Sequence, residues 1–138
     1  MDEPVFVKLN DGWNAEPNDP DEDVLVQGDT ATLSFFLNPW AYAADESQRG
    51  RLVFTGCKRW RLGPTNDEGW YRGICRYSGV APGWCEFYEI EGPDSKMDQP
   101  PDWQDVQSDH PGKRHFLFYM RDRTFECIAA DWSFEPQA

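Results

Sequence analysis

Between Arg51 and Leu62 the apolar residues Leu52, Phe54, Trp60 and Leu62 share one parity, while Val53, Thr55, Cys57, Arg59 and Arg61 share the other. A period of two belongs to extended chain, whose successive side chains point to opposite sides, so the segment reads as a strand with one face on a core. Similar runs rich in β-branched and aromatic residues, bounded by Gly, Pro, Asn and Asp clusters, place strands at about 4–9, 23–27, 31–37, 51–63, 70–77, 83–91, 114–121 and 124–134. The expected fold is mainly β: about eight mostly antiparallel strands forming a barrel or a sandwich. A parallel α/β sheet is disfavoured, because the crossover helices it needs are missing.

Gly56, in the middle of the longest run, predicts a bulge or tight bend. His115–Met120 and Thr124–Ile128 read as a hairpin joined through Arg121, Asp122 and Arg123, with a loop longer than a two-residue turn because Asn-Gly and Asp-Gly are absent. At most one short helix is expected, near 39–48, where Asn38 can cap and Pro39 can occupy the first helical position; an irregular crossover is the alternative. Two segments read as long acidic loops, 10–22 and 92–112. Each carries a tryptophan, Trp13 or Trp103, that can pin it to the sheet. Loops of this length are uncommon unless they serve a function, which makes the second one a candidate lid or docking segment.

The chain has 138 residues, enough for one β domain spanning 1–138 that buries a core without disulfide or metal. Aromatic residues make up 15%, seven of them Trp, which places the stabilising area in a few large rings and argues against global disorder. The net charge of -12 is unevenly laid out: residues 1–48 carry eleven acids and one base, 49–76 seven bases and two acids, and 77–138 twelve acids and five bases. A chain this acidic repels nucleic acid and anionic membrane and attracts cationic proteins, so no nucleic-acid partner and no membrane association are expected. Met1-Asp2-Glu3-Pro4 lacks the cationic start and apolar run of a secretory leader, and no run reaches the length of a membrane helix. A cytoplasmic setting follows, with Cys57, Cys75, Cys85 and Cys127, each on a different expected strand, as reduced and part-buried thiols.

No metal or cofactor is expected. The cysteines form no Cys-x-x-Cys pair, His110 and His115 have no ligand-spaced partners, and Asp19 to Asp23 lacks the glycine and terminal glutamate of a calcium loop. Nucleophile elbows, phosphate-cradling glycine loops and His-Glu-x-x-His helices are absent. The weak catalytic candidates are His115 and Glu126, which lie on hairpin partners; in the right register they make an acid–base pair or, more simply, a satisfied cross-strand contact.

The densest constellation runs from Lys58 to Arg72 as strand, turn, strand. Arg59, Arg61 and Arg72, with Trp60, Trp70 and Tyr71, can either be answered by nearby acids as a charge ladder or line a pocket that grips a small anion through guanidinium forks. Asp67 and Glu68 at the turn, with Trp103, are candidate partner-binding residues.

Two functional readings from different classes follow. The first is a non-enzymatic protein-binding module, inhibitor- or immunity-like, that docks on a basic protein through its acidic loops. The second is a β-barrel that binds, or acts on, a small anion in an Arg/Trp-lined pocket. Self-association as a homodimer through an exposed aromatic patch or sheet edge is a third option.

Overall fold

The computed structural model describes residues 5–17, 19–40, 42, 44–63, 86–92, 102–106, 114–120 and 123–136. These residues contain ten strands and no helix: β1 (Val5–Lys8), β2 (Asp23–Gln27), β3 (Thr30–Phe36), β4 (Arg49–Thr55), β5 (Arg59–Gly63), β6 (Phe87–Glu91), β7 (Gln104–Asp105), β8 (Arg114–Tyr119), β9 (Thr124–Ala129) and β10 (Asp131–Pro136). They form two antiparallel sheets that do not close into a barrel, one of six strands in the order β1-β6-β8-β9-β5-β7 and one of four in the order β10-β4-β3-β2. The expected strand at 70–77 lies outside the described residues.

The sheets face each other across an aromatic core. Alternate residues of β3 and β4, namely Ala31, Leu33, Phe35, Leu52 and Phe54, point inward, and Phe87, Phe116, Phe118, Phe125, Cys127 and Ala129 meet them from the larger sheet. Phe87 lies among several rings, with centroids 5.2 Å from Trp132, 5.8 Å from Phe116 and from Phe118, and 5.9 Å from Phe54, while Phe54 is 5.2 Å from Phe116 and 5.4 Å from Phe125. Such contacts each add about 0.5–1.5 kcal/mol beyond area burial, so a modest number of residues can hold the sandwich.

Two long extended stretches change sheet in their middle. The 51–63 run is two strands, with β4 in the four-stranded sheet and β5 in the six-stranded one; Gly56 turns the corner at φ 61, a conformation that costs other L-residues roughly 1–2 kcal/mol. The 124–134 run likewise divides into β9 and β10. The two corners lie side by side: Ala130 N–H donates to Thr55 O (2.9 Å) and Lys58 N–H to Ile128 O (2.7 Å). Chains that pass between sheets at bends are a regular device for closing a sandwich corner. Cys57 therefore lies at a corner between strands rather than on one, and it is fully buried rather than part-buried.

The connections follow from local chemistry. Gly28, with φ 60, opens the two-residue turn between β2 and β3, as a II′-type hairpin requires. Among the described residues of 39–48 there are turns and no helix; Asn38 Oδ1 accepts Trp40 N–H (3.0 Å), so the capping contact forms while the chain reverses. A stretch this short has too little propagation to offset helix nucleation without an apolar face to bury. Trp13 anchors the first long loop, stacked on Phe134 at 4.0 Å with the rings 3° from parallel. The second long loop is not wholly irregular, since Gln104–Asp105 adds to β5 as β7.

Candidate functional site

The middle of the six-stranded sheet, formed by β6, β8, β9 and β5, is largely buried on both faces, while the edge strands β1 and β7 are exposed. Away from the sandwich core its surface carries Tyr88, Ile90, Leu117, Tyr119 and Ile128, with Arg61, His115, Thr124 and Glu126 buried among them. Charges buried in that way must find one another, because desolvating an unpaired ion costs several kcal/mol. The register arranges the meeting. Arg61 is directly opposite Glu126 across the β5–β9 pair, and β8–β9 sets Leu117 opposite Glu126, which leaves His115 diagonally adjacent on the same face.

The result is a chain of four polar side chains. His115 Nε2 and Glu126 Oε1 are 2.8 Å apart, Arg61 donates through Nη1 to Glu126 Oε2 at 2.7 Å, and the same guanidinium donates through Nε to Asp102 Oδ1 at 2.6 Å and through Nη2 to Asp102 Oδ2 at 3.2 Å. The side chain of Arg61 is 7% exposed and that of Glu126 1%. Gly63 makes the geometry possible. It follows Arg61 by two residues on the same face, and a Cβ there would come within 1.8 Å of an Arg61 terminal nitrogen and 2.9 Å of Asp102 Oδ2. The missing side chain is the space across which the guanidinium reaches Asp102.

Trp103, next to Asp102, roofs this network. Its ring lies 6.2 Å from that of His115, and the Arg59 guanidinium sits over it at 4.3 Å from the centroid. Trp60 faces the other way, packed against the core, and with Leu62, Asp23, Asp102 and Gln104 lines a cleft of about 420 Å³ between β2 and the β5–β7 edge. Asp102 therefore joins the buried network to the cleft.

The structure brings together His115, Glu126, Arg61, Arg59 and Trp103 among the residues singled out in the sequence, and separates Trp60 from them by one sheet thickness. Arg72, Trp70, Tyr71, Asp67 and Glu68 lie outside the described residues. Asp102 was not legible in advance, since it is one of several aspartates in a proline-rich loop; its position just before the anchoring Trp103 is the only sequence signal that marks it.

Chemically, a carboxylate that accepts from both an imidazole and a guanidinium holds its partners in fixed orientations. The fork of Arg61 is committed to two carboxylates of its own chain, so the network ties β5, β8, β9 and the loop before β7 together. Among the described residues no group of three or more His, Cys, Asp and Glu is placed to hold a metal ion, and no helix is long and apolar enough to cross a membrane. The described residues thus define ten strands in two facing antiparallel sheets, with a buried charge network on the outer face of the larger one. Comparison with family models, curated proteins and solved structures gives no match to this chain.

Proposed function

We propose that this chain is a non-enzymatic, cytoplasmic protein-binding module that docks on a basic partner. The observation that carries the reading is how its cations are used. Among the described residues, carboxylates of the same chain engage Lys8 (Glu86), Arg49 (Asp21), Arg51 (Glu135), Arg61 (Asp102 and Glu126), Arg114 (Glu89 and Asp131) and Arg123 (Glu22). Asp11, Asp19, Asp23, Asp45, Glu46, Glu91 and Asp105 are exposed and take no part in these pairs. The positive charge is thus largely spent inside the molecule, and the acid surplus faces solvent, where it accelerates association with a cationic surface.

Apolar anchors accompany the acids. Trp40 is 67% exposed in the same connection as Asp45 and Glu46, and Leu25 is 56% exposed on edge strand β2 two residues from Asp23. Exposed aromatics beside a charged rim are the residues that carry affinity at protein interfaces. Trp13, by contrast, is spent in the core.

The test is a paired capture from lysate of the source cells with immobilised wild type and a variant carrying D11N, D19N, D23N, D45N, E46Q and E91Q. A stoichiometric basic protein that wild type retains at low salt and releases at high salt, and that the variant does not retain, is expected. Equal retention by both proteins would overturn the reading.

A further inference from the structure

Cys57 and Cys127 stand 70 positions apart in sequence, yet their sulfurs lie 3.5 Å from each other. Both side chains are fully buried and neither is in a disulfide. They sit where the two sheet-changing corners meet, and the backbones that carry them are tied on both sides of the pair. Lys58 and Ile128, the residues that follow each cysteine, are joined by the 2.7 Å Lys58 N–H to Ile128 O bond, and Cys57 N–H itself donates to Asp29 O at 2.7 Å. A sulfur–sulfur bond is about 2.05 Å long, so closing the gap asks for a movement of about 1.5 Å shared between two side chains on fixed backbones.

We propose that Cys57 and Cys127 are a dithiol that closes to an intramolecular disulfide when the protein meets hydrogen peroxide, tying the corner between β4 and β5 to β9. The hydrogen bond from Cys127 holds the Cys57 thiol below its ordinary value, while burial pushes Cys127 well up. Cys57 is accordingly the sulfur that attacks. Its thiolate displaces one peroxide oxygen, breaking the O–O bond and forming a sulfenic acid with release of one water. The Cys127 sulfur then displaces the hydroxyl from Cys57 and forms the S–S bond as its own proton leaves with that hydroxyl as a second water. Two thiols and one peroxide give one disulfide and two waters; the two electrons pass from the sulfurs to the peroxide oxygens. Peroxide suits the site because it is small and neutral enough to enter a packed core that excludes bulkier disulfides. This inference does not rest on the binding role proposed above.

The closed ring spans half of the chain, so the cross-link restricts the denatured state strongly and the oxidised protein is expected to melt roughly 10 °C higher than the reduced one. The experiment treats wild type and a Cys75→Ser/Cys85→Ser variant with hydrogen peroxide, alkylates remaining thiols in denaturant, and maps the peptides. A linked pair of peptides containing Cys57 and Cys127, a higher melting temperature that dithiothreitol reverses, and loss of both in Cys57→Ser are the expected results. Two alkylated thiols after oxidation, sulfinic acid at either cysteine, or a link through Cys75 or Cys85 instead would overturn the proposal. Should the double serine variant fail to fold, the wild-type peptide map decides alone.

Discussion

Replacing Arg61 by Leu tests whether the buried network is held by charge. The side chain is 7% exposed and touches one carboxylate that is 1% exposed and another that is 34% exposed. Removing the guanidinium leaves Asp102 able to hydrate but leaves Glu126 with His115 and no cation opposite it. Breaking a buried pair from one side costs about 3–5 kcal/mol, because the surviving charge is stranded. The Arg51–Glu135 pair is the internal control: its side chains are 45% and 48% exposed, and Arg51→Ala should cost no more than about 1 kcal/mol. Urea unfolding followed by tryptophan fluorescence measures both. In a Glu126→Gln background the stranded charge is gone, so Arg61→Leu should there lose at least half of its effect. A cost for Arg61→Leu of about 1 kcal/mol or less, or one as large in the Glu126→Gln background as in wild type, would refute the reasoning.

Three further outcomes follow from particular positions. Gly63→Ala should cost about 1–3 kcal/mol by pushing the guanidinium off Asp102, and should be nearly neutral once Arg61 is Leu; a denaturation cycle of the two substitutions reads the coupling. Gly56→Ala should lower stability by roughly 1–2 kcal/mol in the same assay, since the corner holds φ at 61. Trp13→Ala empties the ring stacked on Phe134 and should cost about 3–5 kcal/mol, with limited proteolysis cutting within 10–22 before any other described loop.

Much of the fold was written in periodicity. The hairpin of β8 and β9 and the strand at 23–27 were legible from apolar patterns and turn residues, because those signals act within a few residues of chain. So was the division of faces in 51–63: Leu52, Phe54, Trp60 and Leu62 all reach the core. The bend at Gly56 was legible from the glycine itself, but the change of sheet was not, since the inward parity of Leu52 and Phe54 continues in Trp60 and Leu62 while the chain leaves one sheet for the other. At Ala130 the inward parity switches, from Phe125, Cys127 and Ala129 to Trp132 and Phe134.

The candidate site divides the same way. Placing His115 and Glu126 on hairpin partners followed from local chain reversal, and a register fixed by Tyr119 opposite Thr124 brings them to 2.8 Å. Arg61 read either as a charge-ladder member answered by nearby acids or as the lining of an anion pocket, and only the pairing of β5 with β9 sets it against the buried Glu126. Asp102 and the Cys57–Cys127 contact are likewise products of assembly, since each joins segments at least 41 positions apart through packing that no local pattern encodes. The amino-acid order by itself determined that the chain would be extended, aromatic at its centre and acidic overall, because periodicity, ring content and charge are additive along the chain. Which charges would be buried together, and which thiols would touch, was decided by the tertiary structure, because a buried ion's energy depends on the partner that reaches it and not on its neighbours in sequence.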